Sequence, residues 1–203
     1  NTLDKYIRDL TVQHRIDKVI DLCESMERDI LLVPRDPRYT YTKQERKEMC
    51  DKNVYEHTFS YAGIPIPKGW GSEKLRPGFW PTRREEKFVR RDVESMRQDG
   101  FLVLFAISGS AGSKRYPWMM PLIGELLKTY AKAKAVTVGD EMAQIAEPIH
   151  HFPKGRYMRR SGVWKPREAM LATKYADLVV SSDTGVLHYS GCYETPKVGM
   201  YGH

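Results

Sequence analysis

The feature that most restricts the fold is an uninterrupted apolar run, FLVLFAIS at 101–108, with a glycine on each side. Its length suits a strand, and its lack of polar alternation is typical of a strand buried on both faces. Three more short apolar runs follow, KAVTVG (134–139), DLVVSS (177–182) and KVGMY (197–201), with helical patterns between them. Strands that alternate with helices predict a doubly wound α/β domain with a parallel sheet, over about 97–203.

The preceding sequence indicates a smaller α/β portion that ends in a connector rich in Pro and Gly. Apolar residues at helical spacing predict helices, and short β-branched runs predict strands. The predicted helices cover 2–14, 42–51 and 53–62, the predicted strands cover 15–22 and 29–34, and the connector covers 64–81.

Composition limits the class of protein. The 203 residues carry a formal net charge of +7, which favours polyanionic surroundings such as phosphorylated substrates, anionic lipid or nucleic acid. Basic residues cluster at 82–91 and 154–168. The sequence has no apolar run of transmembrane length, and its three cysteines without paired spacing indicate reduced thiols rather than disulfides or a zinc site. We therefore expect a cytoplasmic protein.

Ligands of doubly wound sheets bind beyond the carboxyl ends of the strands, so the loops at these ends are the candidate sites. The first loop, SGSAGSKRYP (108–117), combines small residues, among them Ser110, with Lys114 and Arg115 before a helix. This combination suits a phosphate group, although its spacing is not that of a Walker A loop. A flexible loop with solvated basic side chains is the alternative.

The second loop, VGDEMAQ (138–144), places two acidic residues after a strand. Asp140 and Glu141 are either favourable charges in the first turn of a helix or acceptors for the two hydroxyls of a ribose. The sequence alone leaves both readings open.

The third loop interrupts the run LVVSS with Asp-Thr-Gly and then resumes as a helix. Asp183 or Thr184 is a candidate helix cap, and Gly185 would let backbone N–H groups face an anion. His188 follows one turn later on the same side of the helix. All three loops are expected at one edge of one sheet, which predicts a single site.

Three stretches together, GSKRYP, VGDE and ADLVVSSDTGVLHYSGCYETPKVGMYG, resemble glycosyltransferase family 9, the heptosyltransferases of lipopolysaccharide assembly. The resemblance covers roughly 101–203, with a looser likeness in 15–64. It implies a two-domain GT-B fold, with 1–81 as the remnant of an acceptor-side α/β domain plus connector. Residues 82–203 would be the Rossmann-type domain that binds a nucleotide sugar, truncated at its C-terminus.

The resemblance also implies roles for the loop residues. Lys114 would neutralise the donor diphosphate, and Glu141 would hold the ribose, with Asp140 competing for that role. Asp183 would bind sugar hydroxyls, and His188 would complete the pocket. Thr184 and Gly185 would offer backbone N–H groups to the phosphates; Ser110 and Arg115 are additional candidates.

The implied activity is inverting, metal-independent transfer of a sugar from an ADP-heptose-like donor to a glycan or lipid-linked acceptor, with no cofactor. The catalytic aspartate of the family would lie upstream of Asn1, so no catalytic residue is assigned. Peripheral contact with an anionic inner-membrane surface is a further expectation. The alternatives are a GT-B-like enzyme acting on modified nucleic acid and a non-catalytic nucleotide- or nucleic-acid-binding module.

Overall fold

The computed structural model describes residues 2–22, 35, 40–49, 54–70, 77–109, 114–141, 143 and 152–201. The chain forms two compact units, 1–75 and 76–203. The described part of the first unit contains the helices α1 (Thr2–Gln13), α2 (Lys43–Met49) and α3 (Val54–Ala62). No described helix is long and apolar enough to cross a membrane.

The second unit is an α/β domain with five strands. Its elements in chain order are α4 (Arg83–Arg97), β1 (Phe101–Ala106), α5 (Met119–Thr129), β2 (Ala133–Val138), β3 (Tyr157–Arg159), α6 (Pro166–Ala172), β4 (Leu178–Ser182), α7 (Gly185–Ser190) and β5 (Lys197–Met200).

All strand pairs in the sheet are parallel, and the strand order is β3-β2-β1-β4-β5. Ala106 at the end of β1 is in register with Val138 of β2 and with Ser181 of β4. The carboxyl ends of the three central strands therefore lie side by side. The strand order reverses direction between β1 and β4, which makes that junction the topological switch point where ligands of such sheets bind.

Alternate residues of β1 face two separate hydrophobic cores. Leu102 and Leu104 pack with α4 and α6, whereas Val103 and Phe105 pack with α5 on the other face. All four side chains are at most 1% exposed. Because each face of the sheet is covered by helices, β1 has no solvated side, which explains the uninterrupted apolar run in its sequence.

The doubly wound parallel sheet is confirmed, and β1, β2, β4 and β5 coincide closely with the four apolar runs of the sequence. One predicted strand, 15–22, is wrong: these residues are a turn and an irregular segment after α1. Arg15 has a φ of 49°, and the Ile16 N–H donates to the Thr11 carbonyl at 3.0 Å, so the chain turns away from the helix axis. No described segment pairs with 15–22 in a sheet.

Two further predictions met different outcomes. The basic stretch 154–168, for which no strand was predicted, contains β3, a strand of only three residues. The predicted strand 29–34 lies outside the described residues. In the stretch after β2, Glu141 and Ala143 are described and both are helical.

Candidate functional site

An ionic cluster lies at the switch point of the sheet, where the loops after β1 and β4 meet. The Lys114 ammonium is 2.9 Å from Oδ2 of Asp183, and Nε2 of His188 is 3.0 Å from Oδ1 of the same carboxylate. The hydrogen bond from Lys114 lowers the pKa of Asp183, with a smaller contribution from His188. Asp183 is therefore an anion near neutral pH, and its two oxygens hold a lysine and a histidine.

The Gly109 backbone lets the two loops approach each other closely. A Cβ added at Gly109 would lie 2.8 Å from Cβ of Lys114 and 3.4 Å from Cγ2 of Thr184. A larger residue at Gly109 would separate Lys114 from the end of β4. Gly109 thus has a packing role in bringing the cation of Lys114 to Asp183, which lies 69 residues after Lys114 in the chain.

The start of α7 differs in one respect from the prediction. Thr184 is the N-cap residue, but neither its hydroxyl nor the Asp183 carboxylate caps the helix. The Thr184 Oγ1 is instead 3.0 Å from Oγ of Ser181, which is fully buried, and the Thr184 carbonyl accepts the His188 N–H at 3.1 Å. Gly185, the first helical residue, is exposed.

The two acidic residues after β2 have different surroundings. Oδ1 of Asp140 accepts the backbone N–H of Ala143 at 2.7 Å, which is the capping role considered for it. Glu141 is exposed, and its carboxylate has no partner among the residues that the structure describes. Of the two, Glu141 is the carboxylate with both oxygens available to a ligand.

A cavity of about 810 Å³ opens at this edge of the sheet. Its volume is in the range of small-molecule sites. It is lined by residues of the loops after β1, β2 and β4 and of the segment before and within α6: Ala106, Ser108, Gly109, Val138, Gly139, Asp140, Glu141, Gly162, Val163, Trp164, Lys165, Pro166, Ala169, Met170, Thr184, Gly185 and Val186.

The predicted site residues divide into three groups. Asp140, Glu141, Thr184 and Gly185 line the cavity, and the Lys114–Asp183–His188 cluster lies next to Thr184 at the switch point without lining it. Arg115 is exposed before α5, and Ser110 lies outside the described residues.

The cavity wall formed by 162–166 was not predicted from the sequence. Trp164, which is 5% exposed, lines the cavity, and Lys165 is the basic residue among the described residues that line it. Their only signal in the sequence was the unexplained cluster of basic and aromatic residues at 154–168.

A contact with α4 holds this wall in place. Both oxygens of the Asp92 carboxylate accept hydrogen bonds from the Arg160 guanidinium at 2.9 Å, and the Trp164 Nε1–H donates to one of them at 2.9 Å. Arg160 lowers the pKa of Asp92. Asp92, Arg160 and Trp164 are called the Asp92 latch below.

Among the described residues, no group of three His, Cys, Asp or Glu side chains could hold a metal ion. The absence of a metal or cofactor from the chemistry stays a prediction.

Comparisons with known proteins find similarity in the fold. No protein-family model and no curated protein matches the sequence. A glycosyl transferase family 9 protein from Veillonella parvula matches with 17% identity and a TM-score of 0.52, over 62% of this chain and 37% of that one. The E. coli ADP-heptose lps heptosyltransferase II matches with 16% identity and a TM-score of 0.53, over 70% and 42%.

The chain thus spans about two fifths of the length of each of these structures. At these identities the likeness is one of fold. Both of these structures share the α/β architecture of this chain, and the GT-B-like fold class inferred from the sequence is confirmed.

Proposed function

We propose that this chain carries the donor-binding part of a glycosyltransferase, which moves a sugar from a nucleotide-diphosphate sugar to a glycan or lipid-linked acceptor. The observation that carries the proposal is the cavity at the carboxyl edge of the sheet. Its lining includes Glu141, whose carboxylate has no partner among the described residues, and the lysine–aspartate–histidine cluster lies next to it at the switch point, in a fold that known glycosyltransferases share.

Each charged residue of the site suits a different part of the nucleotide-sugar donor. Lys114 is paired with Asp183, the residue before Thr184, and its ammonium supplies the positive charge that a diphosphate requires. Glu141 accepts hydrogen bonds from the ribose hydroxyls, with Asp140 nearby but held by its bond to Ala143. Asp183 and His188 are then left to bind the sugar and the sugar-proximal end of the diphosphate.

The proposed reaction breaks the bond between the anomeric carbon and the diphosphate oxygen and forms a bond from that carbon to the acceptor hydroxyl oxygen. The hydroxyl proton goes to a general base, and the nucleoside diphosphate leaves. In an inverting, metal-independent reaction Lys114 stabilises the negative charge that develops on the leaving diphosphate. The Lys114–Asp183 ion pair rearranges when the diphosphate arrives, because the ammonium then has a second anion to neutralise. The resemblance to family 9 points to ADP-heptose as the starting donor for tests.

The alternative of a nucleic-acid substrate rested on the basic stretch 154–168. Arg156 in this stretch donates to the backbone carbonyls of Leu127, Tyr130 and Ala133, and Arg160 belongs to the Asp92 latch. These two cations are committed to internal contacts rather than offered to a phosphate backbone. This favours the nucleotide-sugar proposal over binding to nucleic acid.

Thermal unfolding with a panel of nucleoside diphosphates and their sugars tests the proposal. A ligand at about 100 times its dissociation constant stabilises the folded state by about 2.7 kcal/mol. We expect an upward shift in Tm of several degrees with at least one compound. In Lys114→Ala the binding should weaken by about 1–3 kcal/mol, the range for a charged hydrogen bond.

Lys128→Ala is the matched control, because Lys128 is a largely exposed lysine on α5 with only a long 3.8 Å contact to Glu125. Without ligand, both variants should unfold near the wild-type temperature, since exposed ion pairs contribute about 0–1 kcal/mol. No shift with any nucleotide compound, or equal shifts in wild type and Lys114→Ala, would reject the proposed site.

A further inference from the structure

Lys165 is placed in the cavity wall without a partner for its charge. Lys165 lines this cavity and also a second cavity beside α4, and no hydrogen bond or ion pair reaches its ammonium from the part of the chain that the structure describes. An ammonium group has three hydrogen-bond donors and no acceptor. A cation in a cavity wall with these donors unused is suited to an acceptor on a ligand.

The backbone around Lys165 is fixed from several sides. The Lys165 N–H donates to Oε2 of Glu168 at 2.8 Å, and its carbonyl accepts the Glu168 and Ala169 N–H groups at the start of α6. The Gly162 N–H donates to the Gly139 carbonyl at 3.0 Å, which ties this wall to the loop after β2. The Asp92 latch holds the same wall from the side of α4. Only the side chain of Lys165 therefore has to adjust to a ligand.

The chemistry of the lining assigns the base of the nucleotide to this wall. In the proposed function the diphosphate lies near Lys114 and the ribose at Glu141, so the planar, largely apolar base remains for the wall at 162–170. Val163 is 59% exposed, and Pro166 and Met170 also line the cavity, so apolar surface is available for a ring to lie against.

We infer that Lys165 contacts the base of the donor and sets the preference for that base. It selects guanine or uracil, which carry a ring carbonyl, over adenine or cytosine, which carry an amino group at the corresponding position. Lysine pairs with the O6 and N7 acceptors of guanine, whereas adenine presents an amino donor at the equivalent edge. An ammonium cannot accept a hydrogen bond from that amino group. The inference rests on the proposed function and departs from the adenine nucleotide that the family resemblance suggests.

Two matched pairs of ligands isolate this contact. Inosine diphosphate differs from ADP in having an oxo group in place of the amino group at position 6, and UDP differs from CDP in the same way at position 4. Dissociation constants for all four and for GDP are measured by titration calorimetry. One of the two pairs, purine or pyrimidine, will bind more tightly overall. Within that pair, the dissociation constant of the oxo compound should be at least about ten-fold lower than that of the amino compound, since a good contact to a base edge discriminates by about that factor or more.

Substitution at Lys165 identifies the source of the preference. Lys165→Met should reduce the oxo-to-amino ratio to within about two-fold, and Lys165→Arg should retain it, because both lysine and arginine donate to a carbonyl. Lys132→Met is the matched control: Lys132 is exposed and immediately precedes β2, at the opposite edge of the sheet from the cavity, so this variant should keep the wild-type ratio.

Failure of the inference and failure of the proposed function give different results. If the amino member binds as well as or better than its oxo partner, or if Lys165→Met keeps the ratio, then Lys165 does not select the base, and the proposed function stands. If none of the five diphosphates binds the wild-type chain, the proposed function itself is refuted and the inference falls with it.

Discussion

The Asp92 latch connects the cavity wall to α4, and its removal should lower both stability and affinity for the ligand. The carboxylate accepts two hydrogen bonds from Arg160 and one from the Trp164 indole, each 2.9 Å long. The carboxylate and the guanidinium are 22% and 25% exposed. Asp92→Asn keeps the size of the side chain, removes the charge and replaces one acceptor oxygen with an NH₂ donor.

The expected magnitude follows from the three bonds. A hydrogen bond to a charged group contributes about 1.5–3 kcal/mol, and Asn keeps only one acceptor oxygen, so bonds to the other oxygen are lost while those to the remaining oxygen weaken. We take a loss of about 1 kcal/mol for each of the three bonds as a conservative figure. Partial exposure reduces the sum from about 3 to about 2 kcal/mol, because solvent screens the pair. For a domain of this size, 1 kcal/mol corresponds to about 3–5 °C, so Tm should fall by about 6–10 °C.

The dependence on pH distinguishes the loss of charge from a change in packing. The folded-state pKa of Asp92 is lower than its ordinary value of 3.8, so its contribution to stability is complete above that value. The contribution is lost as the pH falls through 3.8 towards the folded pKa. The difference in Tm between wild type and Asp92→Asn should therefore be constant from about pH 5 to 7 and should shrink below pH 4.

Calorimetric unfolding of both proteins across this pH range is the assay. Asp99→Asn is the control, since Asp99 is exposed and no described residue pairs with it. It should change Tm by less than a quarter of the Asp92 effect. A difference for Asp92→Asn that persists unchanged at pH 3, or a loss below about 0.5 kcal/mol, would refute the argument that the carboxylate charge holds the wall.

Two further predictions concern the loop after β2 and the N-terminal turn of α4. Gly139→Ala should destabilise the domain by about 1–3 kcal/mol in urea unfolding, because the added Cβ would lie 2.5 Å from Cβ of Ala143. Gly124→Ala, whose added Cβ would be 3.7 Å from its nearest neighbour, should instead stabilise α5 by up to about 1 kcal/mol; equal losses in both would contradict the steric reason. Arg167→Gln should raise the pKa of Glu85 from about 2 towards 4.5, because the hydrogen bond from Arg167 is the largest cause of the low value. Carboxyl NMR titration measures this pKa, and a value still near 2 would assign the shift to the helix cap.

The sheet could be predicted because its strands are buried on both faces and their sequences show it directly. The same pattern placed the loops after β1, β2 and β4 at one edge, since carboxyl ends of parallel strands share an edge. The strand predicted at 15–22 is wrong for a physical reason. A short β-branched run forms a strand only where a neighbouring strand supplies hydrogen bonds, and the sequence does not state whether one exists.

The candidate site could be predicted only in part, because its contacts join distant residues. Lys114 and Asp183 were each singled out, but their direct ion pair depends on the approach of two loops at Gly109. Lys165 was missed because β3, with three residues, carries too little pattern to reveal that 154–168 adds a strand to the sheet and leads into a wall of the cavity. The role of Asp92 depends on how α4 packs, which its helical pattern does not encode.

The most direct test of the account is a crystal structure of the chain with a bound nucleoside diphosphate, chosen as the tightest ligand in the thermal panel. The account predicts that the diphosphate lies within hydrogen-bonding distance of Lys114 and beside Thr184, with the ribose hydroxyls at Glu141 and the base against the wall at 162–166. A nucleotide bound elsewhere on the domain, or bound in this cavity with its diphosphate away from Lys114, would contradict it.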